Sequence, residues 1–281
     1  MDNTDNVVSN DTGFLLKIVQ GALIGLGGVL PGISGGVLCV IFGIYGEIME
    51  LLADPIHRWK THIKSLFPII IGIGAGFVGI AGLLSMLLER YEAQSICLFV
   101  GLIGGMFPSL WREAGREGRT GASYIAAGMS TLIVSAILII AGIFAVRIVP
   151  DTGWYVFCGF CLALSVIAPG MSFSTLLMPL GLYEPFIAGI SHINLTVLIP
   201  AGIGALATMI LLSKAVDMLF KKHYNIAFHI IIGIVAGATI MIIPADDFLA
   251  SPMNFIVDTL CTLLGVMAAL LLDKFNSKYQ D

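Results

Sequence analysis

Long apolar runs, separated by short polar connections, dominate the chain. The six longest runs reach or approach the roughly 20 residues that a helix needs to cross a bilayer. They cover approximately residues 65–88, 95–111, 122–146, 195–220, 226–243 and 253–272. This pattern predicts an all-α, polytopic membrane protein.

Four shorter apolar runs form two pairs, and a Pro-Gly-x-Ser motif interrupts each pair. The runs cover about residues 14–30 and 34–52 in the first pair, and 154–168 and 172–190 in the second. Proline lacks a backbone donor and disfavours helix at the preceding residue. Such a break inside lipid is tolerated only where protein or a water-filled cavity surrounds the exposed backbone. Each pair is therefore either two full crossings joined by a tight polar turn or a re-entrant hairpin.

The second half of the chain repeats the first. A shift of 138 residues aligns PGISGGVLCVIFGIY at 31–45 with PGMSFSTLLMPLGLY at 169–183. A shift of 132 aligns the later landmarks, which are Pro68 with Pro200, Gly72 with Gly204, Met86 with Met218, Gly101 with Gly233 and Gly105 with Gly237. We therefore predict a first repeat over 14–147 and a second over 154–273, preceded by a polar, acidic and disordered tail over 1–13.

The lysines and arginines predict that the second repeat is inverted. If each motif region returns to its own side and three crossings follow, eleven of these residues lie on one face. They are Lys17, Arg58, Lys60, Lys64, Arg112, Arg116, Arg119, Lys221, Lys222, Lys274 and Lys278. The other face has only Arg90 and Arg147, together with Asp151, Asp246 and Asp247. By the positive-inside rule the first face, with both termini, is cytoplasmic.

Two full crossings at each motif would leave the loops on the same sides, so charge does not decide between span and hairpin. We favour the hairpin because it places the motif at mid-membrane, where inverted repeats form their binding sites. The predicted fold is thus two inverted-topology repeats, each a re-entrant helical hairpin followed by three transmembrane helices.

Composition supports the membrane assignment and narrows the functional classes. The chain is 58% hydrophobic and 11% charged, whereas a soluble domain carries roughly 25% charged residues. There is no basic patch for nucleic acid, no phosphate-binding loop of an ATPase, no metal-ligand spacing, and no nucleophile with an adjacent base. We therefore expect no cofactor, no metal and no enzymatic activity. Transport would draw on an ion gradient, with the proton as the favoured coupling ion, or on the substrate's own distribution.

The Pro-Gly-x-Ser motifs are candidate anion sites. A serine after each Pro-Gly is placed to cap the next helix, whose free N–H groups and dipole attract phosphate, sulfate or carboxylate. Two such helix starts from opposite faces could hold one anion between them. The predicted phosphate-binding residues are Pro31, Gly32, Ser34, Gly35, Gly36, Pro169, Gly170, Ser172, Ser174 and Thr175. The alternative is that each motif only makes a tight turn with a stabilising cap.

Ionisable residues inside apolar runs are further candidates, because charge at membrane depth is expensive and often functional. Glu47 and Glu184 follow the repeated tyrosines, Tyr45 and Tyr183, and these four residues are predicted to line the site or handle protons. Near the interface, however, a charge can also reach water by snorkelling. The spacing of Lys214 and Asp217, three residues apart on one helix, favours a structural ion pair. Asp258 and His229 lie close to predicted helix ends.

The motifs resemble those of the bacterial polyprenyl-phosphate translocase family. The stretches that carry the resemblance are GALIGLGGVLPGISGGVLCVIFGIYGEIMELL at 21–52, GLIGGMFPSLWRE at 101–113 and APGMSFSTLLMPLGLY at 168–183. The chain departs from the family pattern at Gly28 and Val29 (often acidic), at Val37 (commonly threonine) and at Phe173 (usually glycine). The resemblance implies a transporter in the bacterial inner membrane that returns undecaprenyl phosphate from the outer to the cytoplasmic leaflet.

Two other functions compete with this one. A secondary transporter of a soluble anion would use the same inverted site without an opening for a lipid tail. A membrane phosphatase similar to those acting on undecaprenyl diphosphate would also carry paired Pro-Gly-x-Ser motifs. Those enzymes place an arginine beside the serine to hold the phosphate, where Gly35 and Phe173 stand here, so hydrolysis is disfavoured.

Overall fold

The computed structural model describes residues 4–30, 39, 42, 44, 47, 55–143, 148–167 and 172–277. Within these ranges the chain forms helices and no strands, as predicted. The helices are α1 (Thr4–Val29), α2 (Pro55–Arg90), α3 (Glu92–Ala114), α4 (Gly121–Ile143), α5 (Thr152–Ile167), α6 (Phe173–Leu177), α7 (Tyr183–Ser191), α8 (Leu195–Met241), α9 (Ala245–Ala250) and α10 (Pro252–Ser277).

Six segments among the described residues are long and apolar enough to cross a membrane. They are Ser65–Arg90, Glu92–Ala114, Gly121–Ile140, Leu195–Leu212, Lys222–Ala250 and Pro252–Lys274. They coincide with the six long runs, so the prediction of a polytopic α-helical membrane protein is confirmed. The shorter apolar helices Phe14–Val29 and Thr152–Ile167 coincide with the runs that precede the two motifs.

One predicted break agrees with the structure, and one helix boundary differs from the prediction. α8 consists of two helical segments that meet at a kink at His223, with φ −138° and ψ 40°, inside the expected connection near residues 221–225. The connection is only a kink because the sequence there, KKHYN, contains neither glycine nor proline. α1 begins at Thr4, so residues 4–13, predicted as part of a disordered tail, extend this helix. That stretch also lacks proline.

Glycines bring two helices into backbone contact within each half. α1 packs against α2, where a Cβ on Gly21 would overlap the carbonyl of Ile69. α5 packs against the first segment of α8 (195–222), where a Cβ on Gly159 would overlap the carbonyl of Ala201. Gly21 and Gly159 are related by the shift of 138, and Ile69 and Ala201 by the shift of 132. The two contacts therefore stand at equivalent positions of the sequence repeat.

Two further helix pairs join the halves to each other. α3 packs against α10, where a Cβ on Gly101 would overlap the carbonyl of Thr262. α4 packs against the second segment of α8 (224–241), where a Cβ on Gly233 would overlap the hydroxyl of Ser130. The shift of 132 relates Gly101 to Gly233 and Ser130 to Thr262. Each half thus contributes one helix to each pair, which ties the halves together.

The second Pro-Gly motif leads into a sharply bent helical segment. α6 continues into one 3₁₀ turn, and the segment Phe173–Leu180 bends by 116° relative to α7. Gly181 makes the bend with a left-handed φ of 67°, which glycine adopts without a Cβ clash. Its amide donates to the Met178 carbonyl at 2.9 Å, and the Leu182 amide donates to the Leu177 carbonyl at 3.1 Å. These two bonds are the Schellman ending of a helix.

The first motif shares one bond of this ending. The Ile44 amide donates to the Cys39 carbonyl at 2.9 Å, and these residues precede Leu182 and Leu177 by 138 positions. Cys39 and Ile44 pack in a small apolar cluster with Ile24, Leu66 and Ile69. The two copies of the motif therefore end in the same backbone hydrogen bond.

Candidate functional site

The structure describes part of the predicted site. Ser172, Ser174, Thr175, Tyr183 and Glu184 of the second copy are described, with Glu47 of the first. The other predicted residues lie outside the described ranges, and these are Pro31, Gly32, Ser34, Gly35, Gly36, Tyr45, Pro169 and Gly170. The side chains of Lys214 and Asp217, the predicted structural pair, also lie outside what is described.

Three hydroxyl groups lie together after the second Pro-Gly. Ser172 occupies the N-cap position of α6 with extended backbone, φ −118° and ψ 135°. Its Oγ lies 2.6 Å from Oγ of Ser174, and the hydroxyl of Thr175 donates to the Ser172 carbonyl at 2.6 Å. Ser174 and Thr175 are buried. The site thus offers three hydroxyl groups that could turn to an anion's oxygens: those of Ser172 and Ser174 are bonded to each other, and that of Thr175 is bonded to a backbone carbonyl.

The predicted side-chain cap at Ser172 is wrong in this copy. The residue is at the expected position, but its hydroxyl makes no hydrogen bond to a helix N–H. Ser174 is two residues further on and offers a competing hydroxyl at short range, which is the local competition typical of serine. The first N–H groups of α6 are therefore left without a side-chain cap from Ser172.

Phe173 fills the space between the two halves. Its side chain is fully buried, and its ring centroid lies 6.2 Å from that of Phe77 on α2. On its other sides it lies 6.0 Å from both Tyr183 and Phe186 of α7. These aromatic contacts fix the start of α6 against the first half. In the sequence, Phe173 stands out only by what it replaces, which is the usual glycine of the translocase family and the arginine of the phosphatases.

Tyr183 connects the second motif to the first. Its hydroxyl donates to the carbonyl of Val29 at 3.0 Å, and both residues are buried. Val29 is the last residue of α1, where helix carbonyls lack partners within the helix. Tyr183 therefore satisfies a carbonyl that stands two residues before Pro31. This contact between the two copies could not be found from sequence spacing.

The two glutamates that follow the repeated tyrosines have different surroundings. Glu184 is exposed in the first turn of α7. Glu47 is half-buried, and its Oε2 is buried without a hydrogen-bond partner in the part of the chain that the structure describes. The two are not equivalent in the repeat, because the shift of 138 carries Glu47 to Pro185. Their predicted role in lining the site or handling protons stays a prediction.

Sequence reasoning missed two polar clusters that contain buried atoms without partners. At one end of α3, the Gln94 amide donates to carboxylate oxygens of both Asp247 and Asp258. At the other end, the ring of His229 lies between those of Trp111 and Tyr124, at 5.6 and 6.0 Å. Oδ2 of Asp258 and Nε2 of His229 are buried and have no hydrogen-bond partner within the described ranges. In the described part of the chain, no group of three or more His, Cys, Asp or Glu side chains could hold a metal ion.

Basic residues gather at the same end as His229. Arg112 pairs with Asp273 at 2.5 Å, and Arg116 pairs with Glu113 at 2.9 Å. Glu113 also accepts a hydrogen bond from Tyr224 at 2.7 Å. These contacts join the ends of α3 and α10 and the middle of α8. The basic residues at these three places, which were predicted to lie on the cytoplasmic face, are therefore close together.

In the described part of the chain, six segments able to cross a bilayer, together with a bent apolar segment that begins with hydroxyl residues, define a polytopic α-helical membrane protein. The profile of the undecaprenyl phosphate translocase-like family matches residues 24–257, and the chain belongs to this family. The resemblance predicted from the motifs is confirmed.

Two bacterial proteins, each named polyprenyl-phosphate transporter, are similar along most of their length. The protein from Staphylococcus aureus (strain NCTC 8325 / PS 47) is 26% identical over 281 residues, covering 94% of this chain and 97% of that protein. The protein from Vibrio cholerae serotype O1 (strain ATCC 39315 / El Tor Inaba N16961) is 24% identical over 258 residues, covering 86% and 81%. No solved structure matches the chain significantly.

Proposed function

We propose that this protein is a bacterial inner-membrane transporter of polyprenyl phosphate, and that it moves undecaprenyl phosphate from the outer to the cytoplasmic leaflet. The observation that carries the proposal is the similarity, over nearly the full length of both chains, to a protein named polyprenyl-phosphate transporter. The six candidate spans agree with it, because the apolar tail of such a substrate stays in the bilayer. The protein acts as a carrier and not as an enzyme.

The two halves form inverted-topology repeats. Each half has one short apolar helix before its motif and three long apolar segments after it, and an odd number of crossings reverses the second half. The equivalent glycine contacts at Gly21 and Gly159, and at Gly101 and Gly233, support this assignment. The 116° bend after α6 supports a re-entrant hairpin at the second motif, with a broken span as the alternative.

The phosphate binds between the two Pro-Gly-x-Ser motifs. In the second copy, the hydroxyls of Ser172, Ser174 and Thr175 exchange their present bonds, to each other and to the Ser172 carbonyl, for bonds to phosphate oxygens. Hydrogen bonds to a charged group contribute about 1.5–3 kcal/mol each, roughly twice the neutral bonds that they replace. Buried Phe173 keeps water from this group and holds it against the first half. Rocking of one half against the other then exposes the anion to each leaflet in turn.

The basic end of the bundle, with both termini, faces the cytoplasm. Arg112, Arg116 and Lys222 lie near this end, and Asp247 lies near the other, in accordance with the positive-inside rule. Cationic side chains here also attract the phosphate as it reaches the cytoplasmic leaflet.

The hydroxyl cluster can be tested in proteoliposomes loaded with a labelled polyprenyl phosphate. We expect the Ser174→Ala/Thr175→Val double variant to transport at least about 10-fold more slowly, the effect of losing about 1.4 kcal/mol of phosphate binding. Ser165→Ala is the matched control, since its hydroxyl donates only to the Leu162 carbonyl of its own helix. If the double variant transported at the wild-type rate, these hydroxyls would not be part of the phosphate-binding site.

Two added measurements separate the competing functions. A soluble-anion transporter would accumulate inorganic phosphate or sulfate without any lipid substrate, whereas a lipid transporter would not. A phosphatase would release phosphate from undecaprenyl diphosphate. Phe173, buried among aromatic rings where such enzymes place an arginine, argues against this outcome. Leaflet-resolved assay of undecaprenyl phosphate in cells, with and without the protein, tests the direction.

A further inference from the structure

Two carboxyl groups share one amide at the start of α3. Nε2 of Gln94 lies 3.2 Å from Oδ1 of Asp258 on α10 and 3.4 Å from Oδ2 of Asp247 on α9. An amide nitrogen has two hydrogens, so one can point to each carboxyl group. The two acids therefore lie within reach of a single small group, although they come from different helices.

The two carboxyl groups differ in the number of hydrogen bonds that they accept. Asp247 receives a second hydrogen bond, at 3.1 Å, from the side-chain amide of Asn254, which Ser251 holds in place. Asp258 is fully buried, and its Oδ2 has no hydrogen-bond partner among the described residues. Burying a charged oxygen without a hydrogen bond costs far more than burying a protonated one. Asp258 is thus the group of the pair that gains most from a proton.

No cation among the described residues balances these acids. The helices that pack against α10 are α3 and α9. On the side facing Asp258 they present Gln94 and buried Cys97 from α3 and Asp247 from α9, and α10 itself contributes Cys261. Glu92 and Asp246 are exposed nearby and only add negative charge. Two like charges this close, with an amide as the shared donor, favour the binding of one proton by the pair.

The pair lies where a proton from water can reach it. Asp258 is in the second turn of α10, about 9 Å along the helix from its first residue at a rise of about 1.5 Å per residue. Asp247 lies on short α9 and is partly exposed. Asp247 therefore provides a connection between water and the buried oxygen of Asp258.

We propose that Asp258 and Asp247, bridged by Gln94, form a proton-binding site that couples proton movement to transport. This inference rests on the proposed transport function. Oδ2 of Asp258 takes up one proton from water on the side of α9 and releases it later in the cycle. The protein's charge thus changes by one unit while it carries an anionic substrate. Among the described residues, the hydrogen bonds of the pair come from Gln94 and Asn254 and not from Glu47 or Glu184, the residues predicted for this role.

Infrared spectroscopy of the full-length protein in detergent tests proton binding without any transport. We expect wild type to show a protonated-carboxyl C=O band that titrates with pH. Asp258→Asn should remove this band, and the charge-matched control Asp246→Asn should keep it. Gln94→Leu should keep the band and move its titration to higher pH, because the amide donor favours the charged form. A full, unchanged band in Asp258→Asn would overturn the proposal.

Transport supplies the second readout. In proteoliposomes carrying a labelled polyprenyl phosphate, we expect the rate for wild type and Asp246→Asn to change with pH on the side of α9, and the rate for Asp258→Asn to be independent of that pH. A wild-type pH profile in Asp258→Asn would overturn the coupling role. If wild type moves no polyprenyl phosphate, the proposed function fails, whereas the infrared titration still decides whether the proton site exists.

Discussion

The α3–α10 pair and the α4–α8 pair each have a glycine packed closely against the partner helix, at equivalent positions of the repeat, but they differ in their polar groups. Gly101 meets Thr262 in the first pair, and Gly233 meets Ser130 in the second. One turn earlier, the shift of 132 carries buried Cys97 of α3 to buried His229 of α8. The close approach of the helices is therefore repeated, whereas the polar residues beside it are not.

The two polar environments differ in what they can bind. Beside Cys97 lie the carboxyl groups bridged by Gln94, which can gain a proton. His229 lies among aromatic rings, and its Nδ1 is 2.7 Å from the Asn225 carbonyl, so Nδ1 carries the hydrogen and Nε2 is left bare. The repeat thus provides two equivalent positions beside a close helix contact, and the side chains at these positions differ between the two helix pairs.

The largest loss of stability is expected when a bulky side chain replaces a glycine at these helix contacts. Gly101→Leu and Gly233→Leu should each destabilise the protein by about 3 kcal/mol or more, because the new side chain would overlap the partner helix. Gly104→Leu is the control, since nothing lies within 4 Å of a Cβ there. Thermal unfolding in detergent measures all three. Destabilisation by only one of the two substitutions would break the equivalence of the pairs.

These contacts also mark how far the sequence could predict the fold. The six crossing segments follow from the length of the apolar runs, since each run alone is sufficient to specify a helix in lipid. The shift of 132 aligns Gly101 with Gly233, but it does not reveal that each packs against a helix of the opposite half. The partner of each helix depends on which helix faces meet after folding. The periodicity within a single apolar run does not contain this information.

The same limit applies to the candidate sites. The hydroxyls of Ser172, Ser174 and Thr175 were predicted because they are neighbours in sequence. Gln94 and Asp258 are 164 residues apart, so neither indicates the other in the sequence. Asp258 was recognisable only as a charge near a helix end.

A smaller loss of stability is expected when hydroxyl groups that reach across the α4–α8 interface are removed. The hydroxyl of Ser130 lies 3.1 Å from the Ile230 carbonyl, and that of Thr131 lies 3.1 Å from the Gly233 carbonyl. Each hydroxyl shares its hydrogen with a carbonyl of its own helix, at 2.8 Å for Ser130 and 2.9 Å for Thr131. Ser130→Ala with Thr131→Val should cost about 1 kcal/mol in total, since hydrogen bonds between membrane helices average about 0.6 kcal/mol each. Ser109→Ala is the control in the α3–α10 pair, because its hydroxyl donates within its own helix to the Met106 carbonyl. Equal losses of thermal stability in the two pairs would contradict this difference.

The smallest effect is expected at the end of the α3–α10 pair, where Arg112 and Asp273 form an ion pair that the repeat does not duplicate. The shift of 132 carries Arg112 to Pro244, which has no charge to offer. The Arg112 side chain is 61% exposed, and solvent-exposed ion pairs contribute about 0.2–1 kcal/mol. Arg112→Gln should therefore lower stability by less than about 1 kcal/mol, and the difference from wild type should shrink as salt is added. A larger loss that does not depend on salt would mean that Arg112 acts through packing of its side chain and not through its charge. The two helix pairs would then differ in their apolar contacts as well as in their polar groups.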